Sequence, residues 1–556
     1  MNPSVRGVLP VVLVAVAVVV ALYLQPDVPP ERGGVHADLI LERARLVDGT
    51  LVSVAVADGK IVGVGRSFDF ASRFDAEEKI DAAGGTLVGG YYDAHAHVLT
   101  GGLGIDALQL GDAESPAEVI ERVRAWAAAH PEQSWIRGRG WVYSMFSGGL
   151  PSRELLDQAV ADRPVILEAF DGHALWGNSR AIELAGQTAQ TPDPPGGQIV
   201  RDSSGTPSGV FLESAKKILE AAAPPLNFEQ QLNALADAVR FMLERGVTRV
   251  DDMVYRDVVE RVRLYRTLED QGRLPVKVRI FPVVEAETDD GFYDTIASSR
   301  PPDSSRVSIG GVKLFIDGVI ESKTALMLEP YATGGGLGQA KFTHAELVSA
   351  LERAAARNLG AALHAIGDGA VRLSLDAIEA LTEKPDPVRL EHIEVIAVTD
   401  VARMAKLGVI ASVQPRHADP GGPDPNEGVW ARNLGEDRLA RAFPWKSLLR
   451  AGVTVHVGTD WPVVDVDPLP TVAVALSRQS RDGEPKGGWY PEECLSLEET
   501  LVAYQAVPDL TPGATAELVL YRPGLDLRQP KSAWAFAYGS RRPVVAVLAH
   551  GEVHRF

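Results

Sequence analysis

Eight short apolar segments, separated by gaps long enough for helices, run through the middle of this chain. They are 86–93, 247–253, 276–284, 311–317, 360–364, 388–392, 409–413 and 453–460. Amphipathic stretches such as 228–245 and 344–358 fill the gaps. Strands joined by helical crossovers pair in parallel. Eight such units predict an α/β fold of (β/α)8 TIM-like barrel type, with its active site at the C-terminal ends of the strands. Residues 98–226 are too many for one loop and predict an inserted subdomain after strand 1. Residues 36–84 read as short strands split by the Asp48-Gly49 and Asp58-Gly59 turns. The pattern returns at 516–521, 544–548 and 551–553. The two chain ends are therefore expected to form one small β-sandwich domain, 36–84 with 515–556. It flanks a barrel at 85–514 that contains the insertion at about 98–226.

Composition narrows the function. A net charge of −19 over 556 residues repels nucleic acid, and no basic patch interrupts it in sequence. The single cysteine, Cys494, excludes an internal disulfide, a Cys-based zinc finger and an iron–sulfur cluster within one monomer. Residues 8–24 are almost wholly apolar, follow Arg6 and precede a Pro- and Gly-rich linker reaching residue 34. That pattern predicts a cell-membrane protein with an N-terminal single-pass anchor and an extracytoplasmic catalytic body. The alternative is a cleaved signal and a secreted or periplasmic protein. A homo-oligomer stays open.

The chemistry-bearing residues sit at strand ends. Asp93-Ala94-His95-Ala96-His97 closes the first apolar run. Alternate residues of a strand share a face, so His95 and His97 converge and Asp93 can orient one of them. His364, His392 and Asp460 each end a later strand, and Lys313 lies among Val312, Leu314 and Phe315. With one cysteine, a zinc-type site must use His, Asp or Glu. A buried ammonium needs either an ion pair, with Asp317 the nearest choice, or a lowered pKa that makes the amine nucleophilic toward CO2. Each position also has a structural alternative: strand-end packing for the histidines, a plain salt bridge for Lys313, a helix cap for Asp460.

Further pieces extend the pattern: Asp171-Gly-His173-Ala-Leu-Trp176-Gly-Asn178-Ser179, Pro195-Gly-Gly197 with Gly209-Val210, Val312-Lys313-Leu-Phe-Ile-Asp317-Gly318, Leu363-His364-Ala-Ile-Gly367-Asp368, Leu390-Glu391-His392, Val413-Gln414-Pro415 and Gly458-Thr459-Asp460-Trp461-Pro462-Val463. With Asp93-Ala-His95-Ala-His97, this ordered set resembles the amidohydrolase superfamily, specifically amidohydrolase family 3, the YtcJ-like and N-substituted formamide deformylase-like group. The resemblance implies two divalent metal ions, zinc by type. His95, His97 and Asp460 would hold the buried ion and His364 and His392 the more exposed one. A carbamate on Lys313, made from CO2, and a hydroxide would bridge them. Such a centre keeps about one positive charge, suited to a carbonyl oxygen becoming an oxyanion.

The implied activity is hydrolysis of a non-ring C–N bond in a small amide, N-acyl or N-formyl substrate, with Asp460 as proton carrier. An ester or cyclic-amide hydrolase using the same site, and a noncatalytic extracytoplasmic binding protein on the same fold, are the alternatives. Two departures fall beside the expected site. Residues 318–325 read Gly-Val-Ile-Glu-Ser-Lys-Thr-Ala where relatives more often carry Gly-Ser-Leu-Gly-Ser-Arg-Thr-Ala, and Glu394 replaces a common uncharged amide. For the substrate, Trp141, His173 and Trp176 of the insertion and His417 at the rim are the expected contacts, with Tyr143 and Phe146 adding aromatic lining. The alternative for these aromatics is the insertion's own core.

Overall fold

The computed structural model describes residues 34–556 except 67–69, 106, 112, 147–149, 171, 173, 195, 256 and 420–423. They form two compact units, one ending at His97 and resuming over Val239–Phe556, the other Val98–Ala238.

The first unit holds the barrel. Its strands are β1 (Tyr91–Ala96), β2 (Val247–Val254), β3 (Lys277–Pro282), β4 (Gly311–Phe315), β5 (Gly360–Ala365), β6 (Val388–His392), β7 (Ile410–Val413) and β8 (Val455–Val457). Neighbours pair in parallel from β1 to β3 and from β4 to β8. A Val283–Lys313 bridge joins β3 to β4, and an Ala96–Trp461 bridge brings the end of β8 back to β1. The ring is closed, so no strand edge is left open. Helix His344–Ala355 leads into β5 behind a Thr343/Glu346 capping box, and helix Val398–Leu407 ends at Gly408 with φ 69°.

The same unit carries the sandwich. One four-stranded sheet is built from 35–81; the other joins Leu87–Gly89 to Leu518–Tyr521, Val544–Ala549 and Glu552–Arg555. Leu39, Leu41, Val54 and Ile61 of the first sheet share a buried core with Leu87, Leu518, Leu520 and Leu548 of the second. Both chain ends thus build the sandwich. The apolar run at 86–93, expected as one barrel strand, divides: Leu87–Gly89 serves the sandwich and only Tyr91 onward enters the barrel. Gly90 marks the break. A Cβ there would meet the Thr248 hydroxyl at 2.3 Å.

The second unit has a six-stranded sheet of its own, in the order Gly197–Arg201, Pro207–Glu213, Ala174–Gly177, Val165–Ala169, Ile136–Trp141, Leu108–Gln109. Trp141 and Trp176 are fully buried in its core, edge to face at 6.1 Å. Their indole N–H groups donate to the backbone carbonyls of Leu167 and Ser152. Trp141 and Trp176, expected as substrate contacts, lie in this core. Large rings that bury their faces and satisfy their one donor within the core are packing residues.

The membrane expectation is corrected as well. Among the described residues no helix is long and apolar enough to cross a membrane. Residues 8–24, on which the anchor and signal readings fell, lie outside the described residues.

Candidate metal centre

The C-terminal ends of the barrel strands gather the histidines. His95, near the end of β1, is fully buried and its Nδ1–H donates to Glu391 Oε2 at 2.6 Å. His97 follows the strand and its Nδ1–H donates to the Met253 carbonyl at 3.1 Å. With both Nδ1 atoms acting as donors, both Nε2 atoms present lone pairs. They face one carboxylate oxygen, Asp460 Oδ1, at 3.4 and 3.2 Å. Burial, helped by Lys313, holds the His95 imidazole far below its ordinary pKa, so it stays neutral.

Asp460 is held where a strand would not place it. Its φ is 59°, and its N–H donates to the His95 carbonyl. Gly458 permits this approach, because a Cβ there would lie 2.6 Å from the His95 nitrogen. The buried Asp93 carboxylate fastens the junction: it accepts the Thr459 N–H at 2.9 Å, the Thr459 hydroxyl at 2.5 Å and the His95 N–H at 3.1 Å. Asp93 therefore clamps β8 to β1. The orienting of a histidine ring, expected of Asp93, belongs to Glu391. Sequence parity hid Glu391 because it neighbours His392 and faces the barrel interior, where only the folded ring of strands shows it reaching His95.

His392 ends β6 with φ 72°, followed by Ile393 at 49°. Left-handed backbone at a β-branched residue costs on the order of 1–3 kcal/mol and is typical of functional sites. The His392 ring meets His364 at 4.5 Å, His95 at 4.9 Å and, in parallel, His417 at 5.9 Å. His364 lies beside the group, with Nε2 3.1 Å from the Gly318 carbonyl. Two sets of ligand atoms converge within 4.8 Å: His95, His97 and Asp460, and His392, His417 and Asp460. The second contains His417, expected at the rim, in place of His364.

Three buried atoms in these sets, Asp460 Oδ1, His392 Nδ1 and His417 Nε2, have no hydrogen-bond partner among the described residues. An unsatisfied buried polar atom costs about 1–3 kcal/mol. Electron-rich atoms facing one another across 3–4 Å are the arrangement a divalent cation relieves. The residues fit a metal, and sharing Asp460 between two sets makes the centre binuclear in form.

Lys313 projects from β4 into the same space, wholly buried, with Nζ 3.4 Å from His95 Nε2. Burial lowers its pKa to about 8. The ion pair with Asp317 does not form. Asp317 instead accepts the backbone N–H groups of Leu326, Ile366 and Gly367. Glu394 accepts the Trp430 indole N–H at 2.6 Å and lies 3.6 Å from His417. On the other side, a row of rings spans the space between two histidines. His97 stacks on Tyr255 at 5.1 Å, Tyr255 on Phe315 at 5.8 Å, and Phe315 tilts against His364 at 5.1 Å. Tyr255 is 55% exposed. His173 lies outside the described residues.

The comparisons agree with this geometry. The amidohydrolase family model matches residues 78–522, and the chain belongs to that family. It is 29% identical over 528 residues to the Arabidopsis thaliana protein LONG AFTER FAR-RED 3, covering 88% of each chain. It is 29% identical to the putative amidohydrolase YtcJ of Bacillus subtilis (strain 168), covering 81% of this chain and 85% of that one. It is 28% identical to the N-substituted formamide deformylase of Arthrobacter pascens, over 84% of this chain and 86% of that one. Among solved structures, an uncharacterized metal-dependent hydrolase from Pyrococcus horikoshii OT3 shares the fold with a TM-score of 0.69 at 24% identity, over 89% of this chain and 98% of that one. Family membership and the convergent His/Asp sets together define a metal-dependent hydrolase of C–N bonds.

Proposed function

We propose that this enzyme hydrolyses a non-ring amide, releasing an acid and an amine, with an N-formyl or N-acyl amine as substrate. The observation that carries the reading is Asp460, whose carboxylate faces both histidine sets with one oxygen unpartnered. Two zinc-type ions held by the His and Asp groups would polarise the substrate carbonyl and acidify water. The remaining work falls to the chain. Asp460 is the one carboxylate that both histidine sets face. It can accept the proton of the attacking water and return it to the leaving nitrogen. Glu391 fixes His95, and Met253 fixes His97, so neither ligand turns during that transfer.

Lys313 is the proposed carbamate. Above its pKa the neutral amine attacks CO2; an N–C bond forms, one C=O bond becomes an anionic oxygen, and the nitrogen loses a proton. Its burial, its lowered pKa and the absence of a carboxylate within ion-pair distance among the described residues support this. His364 would join the second ion beside His392. His417, 3.6 Å from Glu394 and 3.8 Å from Asp460, would contact the substrate from the rim of the site. Tyr255 and Phe315 give the substrate a flat apolar wall, the role expected of the insertion tryptophans. The deformylase relative, by its name, acts on N-substituted formamides, which supports an N-formyl amine as substrate.

The test is a panel of N-formyl and N-acyl amines with metal-loaded enzyme, wild type against Asp460→Asn. Turnover should fall by at least about two orders of magnitude, the usual weight of general acid–base catalysis, while the fold is retained. Equal turnover by both, or none by the wild type on any amide, contradicts the proposal.

A further inference from the structure

At the opposite, N-terminal mouth of the barrel lies a cavity of about 280 Å³. The starts of β2, β3, β6, β7 and β8 line it, so no metal-ligand residue of the other mouth takes part. Its charged lining is Arg249, Lys277, Arg279, Arg306 and Arg389 against one carboxylate, Asp251. That sign opposes the chain's net charge of −19.

The simplest alternative is a self-satisfied ion-pair cluster, and part of the lining is one. Asp251 takes Arg279 at 2.7 Å and Arg389 at 2.6 Å on the same oxygen. Arg389 also meets Glu391 at 2.6 Å, and Arg306 meets Glu552 at 2.7 Å. The cluster does not close. Lys277 reaches Glu517 only at 3.9 Å with half its side chain in solvent. Arg249 hydrogen-bonds only Gln505, through its side-chain and backbone oxygens, and has no carboxylate among the described residues. His456, also in the lining, has a buried Nδ1 without a hydrogen-bond partner among the described residues. Five cations share four carboxylates around a space that admits a small molecule and nothing larger.

We infer that this mouth is a second binding site, for a small oxyanion carrying two or more charges, held by Arg249 and Lys277 and bordered by Arg279 and Arg306. Guanidinium forks match the oxygens of such an ion in pairs, and a multivalent ion gains from each cation it meets. A monovalent halide would gain little, because it offers no paired acceptors.

The probe is inorganic phosphate, titrated into metal-loaded protein by calorimetry, with chloride holding ionic strength constant. Wild type should bind one phosphate per chain saturably. Arg249→Gln combined with Lys277→Gln should weaken that binding at least about tenfold, since two charge-assisted contacts are lost. The pair Lys217→Gln and Lys486→Gln, on exposed side chains outside the cavity lining, removes the same net charge and should leave the affinity within about twofold. Phosphate captured at the metal centre instead would survive the Arg249/Lys277 change and vanish on metal removal. That outcome, an equal loss in both double variants, or no saturable binding in wild type overturns the inference.

Discussion

The two mouths of one barrel show two ways of handling buried polar groups. At the N-terminal mouth, Arg279, Asp251, Tyr92, Arg389 and Glu391 form a ladder of opposite charges and hydroxyl contacts, each near 2.6–2.8 Å. At the C-terminal mouth, His95, His97, His392, His417 and Asp460 point lone pairs at one another. Complementary groups that close on themselves stabilise a fold, or at least do not strain it. Electron-rich groups that do not close await a cation. The ladder ends on His95 through Glu391, so the paired part of the N-terminal mouth holds the metal-ligating mouth in register.

Lys313→Ala should break the contrast most severely. It removes the proposed bridging anion and should take metal and nearly all turnover with it, with partial rescue by a short carboxylic acid. Wild-type protein stripped of metal adds a pH test. The neutral amine is the CO2-reactive form and predominates only above about pH 8. At fixed dissolved CO2, reactivation should therefore rise steeply toward pH 8 and level off beyond it. Reactivation that is indifferent to CO2 contradicts the carbamate.

Next in size are paired changes at the two ends of the ladder. Asp251→Asn leaves Arg389 and Arg279 without their shared partner and should cost about 3–5 kcal/mol of stability, as breaking a buried ion pair does. Urea unfolding of the loaded enzyme measures it. Glu391→Gln should lower metal affinity or turnover by roughly 10–100-fold, the usual effect of losing the group that orients a ligand histidine. If Asp251→Asn leaves stability unchanged, the division of labour between the mouths fails.

Much of this was legible in the residues, for physical reasons that differ by element. The later strands read well because each is a short apolar run bounded by turn residues, and His364, His392 and Asp460 stand at their ends. The first did not. The run from Leu87 through Tyr92 is apolar throughout, and apolarity alone cannot say which sheet buries a residue. The inventory of ring nitrogens and carboxylates was visible in the chain. The convergence of His417 was not, because its short 3-10 turn after β7 carries no periodicity. Trp141 and Trp176 looked like a pocket for the reason they make a core: aromatic residues serve both, and only burial separates them.

The smallest expected effect sharpens that last point. Tyr255→Ala should raise KM several-fold for aryl-substituted amides more than for alkyl ones, with metal content unchanged. Trp176→Ala should instead lower stability by about 3–5 kcal/mol. A KM effect from Trp176 with no loss of stability would return the insertion tryptophans to the substrate.

The central claim, that unsatisfied lone pairs at the C-terminal mouth hold two ions, is tested most directly by anomalous scattering from crystals of zinc-loaded enzyme. The account predicts two peaks per chain, one among His95, His97 and Asp460 and one beside His392, with extra density on Lys313 Nζ between them. A fully loaded crystal with no peak at this mouth, or with metal bound only elsewhere, would contradict it.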